Sequence, residues 1–168
     1  MSYNVPENLQ ETPELTAADI MPAGVPPVAP DASIAEVLRV MVDHDVAGVA
    51  VVENDEIIGI ITESDVVTRQ ASPSDPLSFP ILDAIFVLDA GRSYEEEVRR
   101  VLAVNASQLM TAPVTSIRSI ANLEQIATVM MERDVHPLPV VDEDEKYIGI
   151  VSRRDLVRVI AKLETRLS

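Results

Sequence analysis

The chain has no cysteine and no tryptophan, and among its 168 residues there are only five glycines, two phenylalanines and three tyrosines. Without cysteine it can form neither a disulfide nor a thiolate metal site. Because only 3% of the residues are aromatic, the 47% hydrophobic content must build an aliphatic, methionine-filled core. No apolar run is long enough to cross a bilayer, and the first residues lack the features of a signal peptide. We therefore expect a cytoplasmic protein of one ordinary domain or two small ones.

Basic residues are also scarce. The chain has 13 lysines and arginines against 28 acidic residues, a formal net charge of −15. Such a protein is repelled by the phosphates of nucleic acid and by anionic membrane surfaces, so we expect neither as a partner. A small anionic ligand is not excluded, because one local basic pocket can override the average electrostatic field of the protein.

What the chain does have is a duplication. Residues 40–52 align without a gap with residues 129–141, and residues 58–65 align with 148–155 after a slip of one position at an acidic turn. A duplicated unit can pack against its twin about a pseudo-twofold axis, and the seam between the copies is a natural place for a cleft. Functional residues are expected in that seam.

Each copy begins its main helix with a reciprocal cap. Ser33 is followed three residues later by Glu36, and Asn122 by Gln125, the capping-box arrangement. The residues at the spacing of one helical face are Ile34, Val37, Leu38, Met41 and Val42 in the first copy, and Leu123, Ile126, Ala127, Met130 and Met131 in the second. We interpret the methionines among them as core fillers and not as a metal-binding stripe.

Short apolar runs rich in β-branched residues follow each helix, and acidic turns split them. Residues 49–52 and 57–61 predict two strands in the first copy, and residues 138–141 and 147–151 predict two in the second. A further helix is expected from Thr62 and another from Ser152. Each unit is thus predicted to run strand, helix, strand, strand, helix, with the first strand short.

The domain boundaries follow from the repeat. We expect an N-terminal arm over residues 1–16, a first domain over 17–69, an inserted linker over 70–105 and a second domain over 106–168. Within the linker the sequence predicts an apolar strand at 81–88 and a capped helix that begins near Ser93. Structural cover of one edge is its simplest role, with a lid or a partner-docking segment as the alternative.

Several motifs, each repeated in the same order, resemble the CBS domain, the module named after cystathionine β-synthase. In the second copy they are Met-Thr-Ala-Pro-Val at 110–114, His-Pro-Leu-Pro-Val-Val-Asp at 136–142 and Gly-Ile-Val-Ser-Arg-Arg-Asp-Leu at 149–156; the first copy has Met-Pro at 21–22 and related segments at 48–52 and 59–65. The resemblance implies an α/β (α+β) fold, a tandem pair of β-α-β-β-α units about a pseudo-twofold axis, known as a Bateman module.

The resemblance also implies two clefts that take adenine nucleotides or S-adenosylmethionine. In the family a Ser/Thr-x-x-Asp at the start of the last helix holds the ligand, which here is Thr62 with Asp65 and Ser152 with Asp155. A carboxylate can accept hydrogen bonds from both ribose hydroxyls, while the free amides of the helix N-terminus face an anion. The alternative is a simple capping box that contributes about 1 kcal/mol to the helix.

Charge favours the second copy. Arg153 and Arg154 stand beside its Ser-x-x-Asp, and guanidinium groups match phosphate geometry. His136 lies where some family members present a basic residue to the phosphates, whereas the first copy has Glu63 beside its threonine. The alternatives are arginines paired with Asp155 or Glu145 and a histidine satisfied at a strand edge.

The ligand-binding residues implied by the resemblance are Thr111, Val114, His136, Pro137, Leu138, Pro139, Ser152, Arg153, Arg154 and Asp155. A second, weaker cleft has Pro22, Val25, Gly48, Val49, Thr62 and Asp65. Thr111 and Pro22 are equivalent positions in the segments that lead into each unit, and in the family these segments line the base pocket. Backbone groups of the middle strand suit the donor and acceptor edges of adenine.

No catalytic constellation stands out, and we expect no enzyme, no resident metal and no required cofactor. The acidic turn at 142–145 lacks the glycine and the terminal glutamate of a calcium loop. The resemblance implies a regulatory module that senses AMP, ADP, ATP or S-adenosylmethionine, forms a homodimer by stacking helical faces and signals to an effector protein. The alternative is an assembly or protein-docking module with empty clefts.

Overall fold

A computed structural model describes residues 14–71 and 105–166. Most of the expected N-terminal arm lies outside the described residues. The strand predicted at 81–88 and the helix predicted from Ser93 also lie outside them.

Both copies show the predicted order of helix, strand, strand and helix. The elements of the first repeat are α1 (Ala17–Ile20), α2 (Ile34–Asp43), β1 (Gly48–Glu53), β2 (Glu56–Thr62) and α3 (Glu63–Ala71). Those of the second are α4 (Ala106–Leu109), β3 (Ile117–Arg118), α5 (Leu123–Glu132), β4 (Leu138–Val141), β5 (Tyr147–Val151) and α6 (Arg153–Arg166). The mixed α and β fold expected from the sequence is confirmed.

The two sheets differ at the short first strand. In the second repeat β3 pairs with β4 in parallel, and β4 pairs with β5 antiparallel. In the first repeat β1 and β2 form the antiparallel pair, and the first strand is reduced to a single parallel bridge between Val28 and Val51. Prolines at positions 26, 27 and 30 surround Val28. Because proline cannot donate to a ladder, the strand cannot extend there.

The predicted helix caps are confirmed. The Ser33 Oγ accepts a hydrogen bond from the Glu36 N–H at 3.3 Å, and a Glu36 carboxylate oxygen accepts one from the Ser33 N–H at 2.9 Å. Asn122 and Gln125 make the same two bonds at 2.9 and 3.0 Å. Both main helices therefore begin where their local sequence dictates.

The segments that lead into the two repeats are exchanged between them. We call residues 16–21 the first arm and residues 105–110 the second arm. The Ala17 N–H donates to the Ala121 carbonyl at 2.8 Å, and the Ala106 N–H donates to the Ala32 carbonyl at the same distance. Ala17 and Ala106 are both fully buried. Each arm thus completes the core of the other repeat.

Within residues 14–71 and 105–166, the apolar core forms three clusters. One fills the first repeat and includes Ala106 and Leu109 of the second arm, and another fills the second repeat and includes Ala17 of the first arm. A third cluster lies where the two repeats meet and is built from Val25, Val46, Ile60 and Ile150, with Val40 and Val114 packed against it. This central cluster joins the repeats, with Ile60 contributed by β2 and Ile150 by β5.

The structure corrects part of the predicted helical face. Met41 and Met130 are buried as expected, but Met131 is 79% exposed and its counterpart Val42 is 77% exposed. Each follows a buried methionine by one residue, a rotation of about 100° around the helix, which carries it past the edge of the covered face. Ala127 is exposed as well. Met131 is therefore not a core filler.

Two glycines let the exchanged arms approach the sheets. Gly59 on β2 faces Met110 of the second arm, and Gly149 on β5 faces Met21 of the first arm. A Cβ placed on Gly59 would lie 2.8 Å from the Cβ of Met110, an atom fixed to the backbone. A Cβ on Gly149 would meet the Sδ of Met21, with its Cε next at 3.2 Å. Both clashes include a flexible thioether sulfur, but only the clash at Gly59 also reaches a Cβ, an atom that the backbone holds in place.

This difference predicts unequal costs for the same substitution at equivalent positions. Gly59→Ala should lower the free energy of unfolding by roughly 1–3 kcal/mol, the usual range for an overpacked core. Gly149→Ala should lower it by less, because the thioether of Met21 can rotate away. Urea denaturation of both variants measures the two losses, and equal losses would contradict the packing described here.

Candidate functional site

Asp155 closes the first turn of α6. Its Oδ2 accepts hydrogen bonds from the Ser152 N–H at 2.8 Å and from the Ser152 hydroxyl at 2.6 Å. The residue is only 6% exposed. Its second oxygen, Oδ1, takes no part in the cap and faces the guanidinium of Arg158, whose Nη1 is 3.6 Å away. The cap thus uses one carboxylate oxygen, and the other faces Arg158 in a longer ion pair.

Asp65 holds the same position at the start of α3, but both of its oxygens are engaged. Oδ2 accepts from the Thr62 N–H at 2.7 Å and from the Thr62 hydroxyl at 2.9 Å. Oδ1 accepts a hydrogen bond from the Thr111 hydroxyl at 2.9 Å. Thr111 is also bound through its backbone to Ile60, at 2.8 and 3.1 Å. The first site is therefore internally satisfied.

The exchange of the arms changes how the predicted residues are grouped. Thr111 was expected beside Ser152 and Asp155, and the structure places it beside Asp65 instead. Its counterpart Pro22 follows Met21, which packs against Gly149 of the second repeat. The physical reason is that each lead-in segment crosses to the other repeat, which local sequence cannot reveal.

Pro22 makes the second site chemically different from the first. Proline has no N–H and no hydroxyl, so it cannot repeat either the backbone pairing or the side-chain hydrogen bond of Thr111. Asp155 accordingly receives no counterpart of the Thr111 hydroxyl. The two sites share a backbone plan and differ at this one partner.

The arginines of the second site are paired, but not with the predicted partners. The Arg154 Nη1 lies 2.8 Å from the Asp45 Oδ1 and the Arg153 Nη2 lies 3.6 Å from the Asp134 Oδ1. The residue that faces Asp155 is Arg158. These side chains are all largely exposed except for Asp155, so each exposed pair contributes at most about 1 kcal/mol. Hydrogen bonding and charge from Arg154, then Arg158, lower the pKa of Asp45 below its usual value.

The remaining predicted residues lie near the seam. His136 is exposed, and Pro137 is buried against Gly48, where a Cβ would lie 2.9 Å from the Pro137 Cγ. Val25 belongs to the central cluster, and Val114 packs against it. Leu138, Pro139 and Val49 are buried within strands, so their side chains belong to the packed interior.

Sequence reasoning missed three residues at this seam: Asp45, Arg158 and Tyr147. The Tyr147 hydroxyl donates to the Val25 carbonyl at 3.1 Å, and burial raises its pKa to about 12. Arg158 carried a readable signal, because it follows Arg154 by four residues and so shares its helical face. Asp45 carried none, because its partners come from the other repeat.

The described ranges, residues 14–71 and 105–166, contain neither a metal-binding cluster nor a membrane-spanning helix. Within them no group of three or more His, Asp or Glu side chains is placed to hold a metal ion. No helix in the same ranges is long and apolar enough to cross a membrane.

Comparison with known proteins agrees with this architecture. The chain is 26% identical over 142 residues to the chloroplastic CBS domain-containing protein CBSX2 of Arabidopsis thaliana, a match that covers 82% of this chain and 59% of that protein. It therefore spans about three fifths of the length of that relative. The crystal structure of CBSX2 in complex with AMP has a TM-score of 0.61 at 23% identity and covers 89% of this chain and 98% of the other.

Two further solved structures share the fold. The CBS domain of a CBS domain-containing membrane protein from Sphaerobacter thermophilus is 31% identical with a TM-score of 0.66, over 86% of this chain and 87% of the other. The CBS domain pair of protein MJ0100, in complex with 5′-methylthioadenosine and S-adenosyl-L-methionine, is 19% identical with a TM-score of 0.59, over 89% of this chain and 98% of the other. The CBS domain family itself matches residues 17–72 and 106–162. With both repeats matched and most of the chain covered, this protein belongs to the CBS domain family.

Proposed function

We propose that the protein is a regulatory module that binds an adenosine-containing ligand beside Ser152 and Asp155 and changes its shape or its affinity for a partner. The candidate ligands are AMP, ADP, ATP and S-adenosylmethionine. The observation that carries the proposal is the buried carboxylate of Asp155, whose Oδ1 is left out of the helix cap. A buried charged oxygen without a short hydrogen bond is costly, which favours a site that a ligand completes.

The chemistry around Asp155 suits a nucleoside. Its Oδ1, which faces Arg158 at 3.6 Å, can accept hydrogen bonds from ribose hydroxyls. Such hydrogen bonds are charge-assisted and therefore strong. Arg153 and Arg154 stand two residues and one residue before it, where their guanidinium groups can meet a phosphate. The first repeat has Glu63 and Ser64 at those positions and has Asp65 already bound to Thr111. We therefore propose the second repeat as the main site and the first as the weaker one.

Proteins of the same fold support this choice of ligand class. CBSX2 was crystallised with AMP, and the MJ0100 domain pair with 5′-methylthioadenosine and S-adenosyl-L-methionine. The proposal includes no catalytic step and no required cofactor, a cytoplasmic location, and an effector protein of unknown identity. The domain limits expected from the repeat, with a linker over 70–105, are kept as part of it.

We also propose that the protein forms a homodimer through its helices. Val42 and Val67 in the first repeat and Met131 and Val157 in the second are equivalent positions, and all four are exposed. Ile160 adds to the surface in the second repeat. Exposed apolar side chains that recur at equivalent positions of both repeats are typical of a symmetric interface.

The ligand proposal predicts a specific loss in one variant. Adenosyl ligands should raise the melting temperature of the protein, because a ligand of the native state stabilises it by mass action. Asp155→Asn keeps an acceptor for the Ser152 cap but loses the carboxylate, so affinity should fall roughly 10- to 100-fold, the equivalent of one or two charged hydrogen bonds. Isothermal calorimetry measures the change.

Asp65→Asn is the matched control, because it makes the same change at the equivalent cap of the first repeat. It should retain most of the affinity of the unmodified protein. If none of the four compounds binds at millimolar concentration, or if Asp65→Asn loses affinity and Asp155→Asn does not, the proposal is wrong.

The dimer proposal predicts that one exposed methionine controls assembly. Met131→Glu should weaken the dimer by about an order of magnitude or more, because it buries an unpaired polar group in an apolar interface at a cost of about 1–3 kcal/mol. Salt should strengthen the dimer of the unmodified protein, since two copies of charge −15 repel one another. Light scattering across a dilution series measures both effects, with Glu124→Gln on α5 as the control. A monomer at every concentration would refute the proposal.

A further inference from the structure

Two arginines of α6 converge on one carboxylate of the other repeat. Asp45 follows the end of α2 and adopts a left-handed backbone conformation with φ 50°. The Arg154 Nη1 lies 2.8 Å from its Oδ1, and the Arg158 Nη2 lies 3.2 Å from its Oδ2. Each oxygen of this carboxylate is therefore bound by a separate guanidinium group.

The duplication does not account for this cluster. The equivalent residue Asp134 has the same conformation, with φ 48°, but it faces Arg153 of its own repeat at 3.6 Å. The positions equivalent to Arg153 and Arg154 on α3 are Glu63 and Ser64, which supply no positive charge. The contact between α6 and Asp45 is thus not repeated between α3 and the equivalent residue Asp134.

The same arginine links this cluster to the proposed ligand site. Arg158 reaches Asp45 with one nitrogen and lies 3.6 Å from the Asp155 Oδ1 with the other. Guanidinium groups bind carboxylates and phosphates with the same fork of donors. A phosphate carried by a ligand at Asp155 would therefore compete with the Asp45 carboxylate for Arg154 and Arg158.

We propose that Asp45 acts as an internal anion that occupies Arg154 and Arg158 in place of a phosphate and so weakens the binding of phosphorylated ligands. The adenosyl part of this inference rests on the proposed function, and the anion part does not. Asp45 is then a specificity-determining residue, which favours adenosyl ligands without phosphate over nucleotides. The two arginines also hold the pKa of Asp45 below its usual value, so the carboxylate is ionised at neutral pH.

The solvent exposure of the Asp45 cluster sets the expected size of the change in phosphate affinity. The side chains of Asp45, Arg154 and Arg158 are all more than half exposed, and exposed ion pairs are weak. Competition from the Asp45 carboxylate should therefore lower the affinity for a phosphate roughly three- to tenfold. Asp45→Asn should recover that factor. Asparagine tolerates the left-handed conformation and has the same shape, so the variant should keep the fold.

The test compares Asp45→Asn with Asp55→Asn. Asp55 also forms an exposed pair between the repeats, with Lys146 at 3.3 Å, and is the matched control for the loss of one negative charge. Pyrophosphate, AMP and adenosine are titrated at constant ionic strength by calorimetry. Asp45→Asn should bind pyrophosphate and AMP three- to tenfold more tightly than the control variant does, with adenosine unchanged. Adding Arg154→Gln and Arg158→Gln together to Asp45→Asn should abolish the gain.

The outcomes separate the two proposals. Equal affinity of the two variants for pyrophosphate overturns the role of Asp45, whatever adenosine does. Tighter pyrophosphate binding in Asp45→Asn, together with no binding of any adenosyl compound, supports the internal anion and rejects the proposed function. A gain that survives the loss of both arginines also overturns the inference, because the freed guanidinium groups would then not be its source.

Discussion

The exchange of the two arms is the contact on which the rest of the structure depends. Ala17 and Ala106 are fully buried in the core of the repeat to which they do not belong by sequence. Each exchange requires a glycine, at position 59 or 149, because a side chain there would overlap the methionine that ends the arm. Neither repeat has a complete core without the other, so the pair should fold as one cooperative unit. The same exchange brings Thr111 to Asp65 and thereby sets the composition of the first site.

The two repeats share the backbone arrangement at the start of their last helices, α3 and α6, but differ in the side chains that surround it. The two helix starts are capped in the same way, by Thr62 and Asp65 in one repeat and by Ser152 and Asp155 in the other. The difference comes from their neighbours. A threonine hydroxyl satisfies Asp65, whereas proline at the counterpart position cannot donate to Asp155. Pseudo-symmetry therefore provides two similar backbone frames, and single side chains decide whether the second carboxylate oxygen receives a hydrogen bond, as in Asp65, or a longer ion pair, as in Asp155.

The secondary structure was predictable because its signals are local. The caps at Ser33 and Asn122, the acidic turns and the β-branched strands all depend on residues within a few positions of one another. The exchanged arms were not predictable, because an arm that packs on either repeat has the same local sequence. The exposure of Met131 was missed for a related reason. Helical spacing shows which residues lie on one face of the helix, but how much of that face is covered depends on the tertiary packing of neighbouring elements. Whether each predicted site residue contacts a ligand remains a prediction.

The strongly acidic chain does not present the free basic pocket that its Arg-Arg-Asp motif suggested. Arg153 and Arg154 are paired with Asp134 and Asp45, which neutralises them locally. Asp45 also lines an open groove of ≈ 390 Å³ between α2 and α3, together with Val42 and Val67 of the proposed dimer surface. A phosphate that takes both Arg154 and Arg158 away from Asp45 would leave an unpaired carboxylate at that groove. The two proposals then imply a linkage: if phosphate binding weakens the dimer by some factor, dimer formation must weaken phosphate binding by the same factor. An adenosyl ligand without phosphate would leave Asp45 paired with its arginines, so its binding would not be linked to dimer formation in this way.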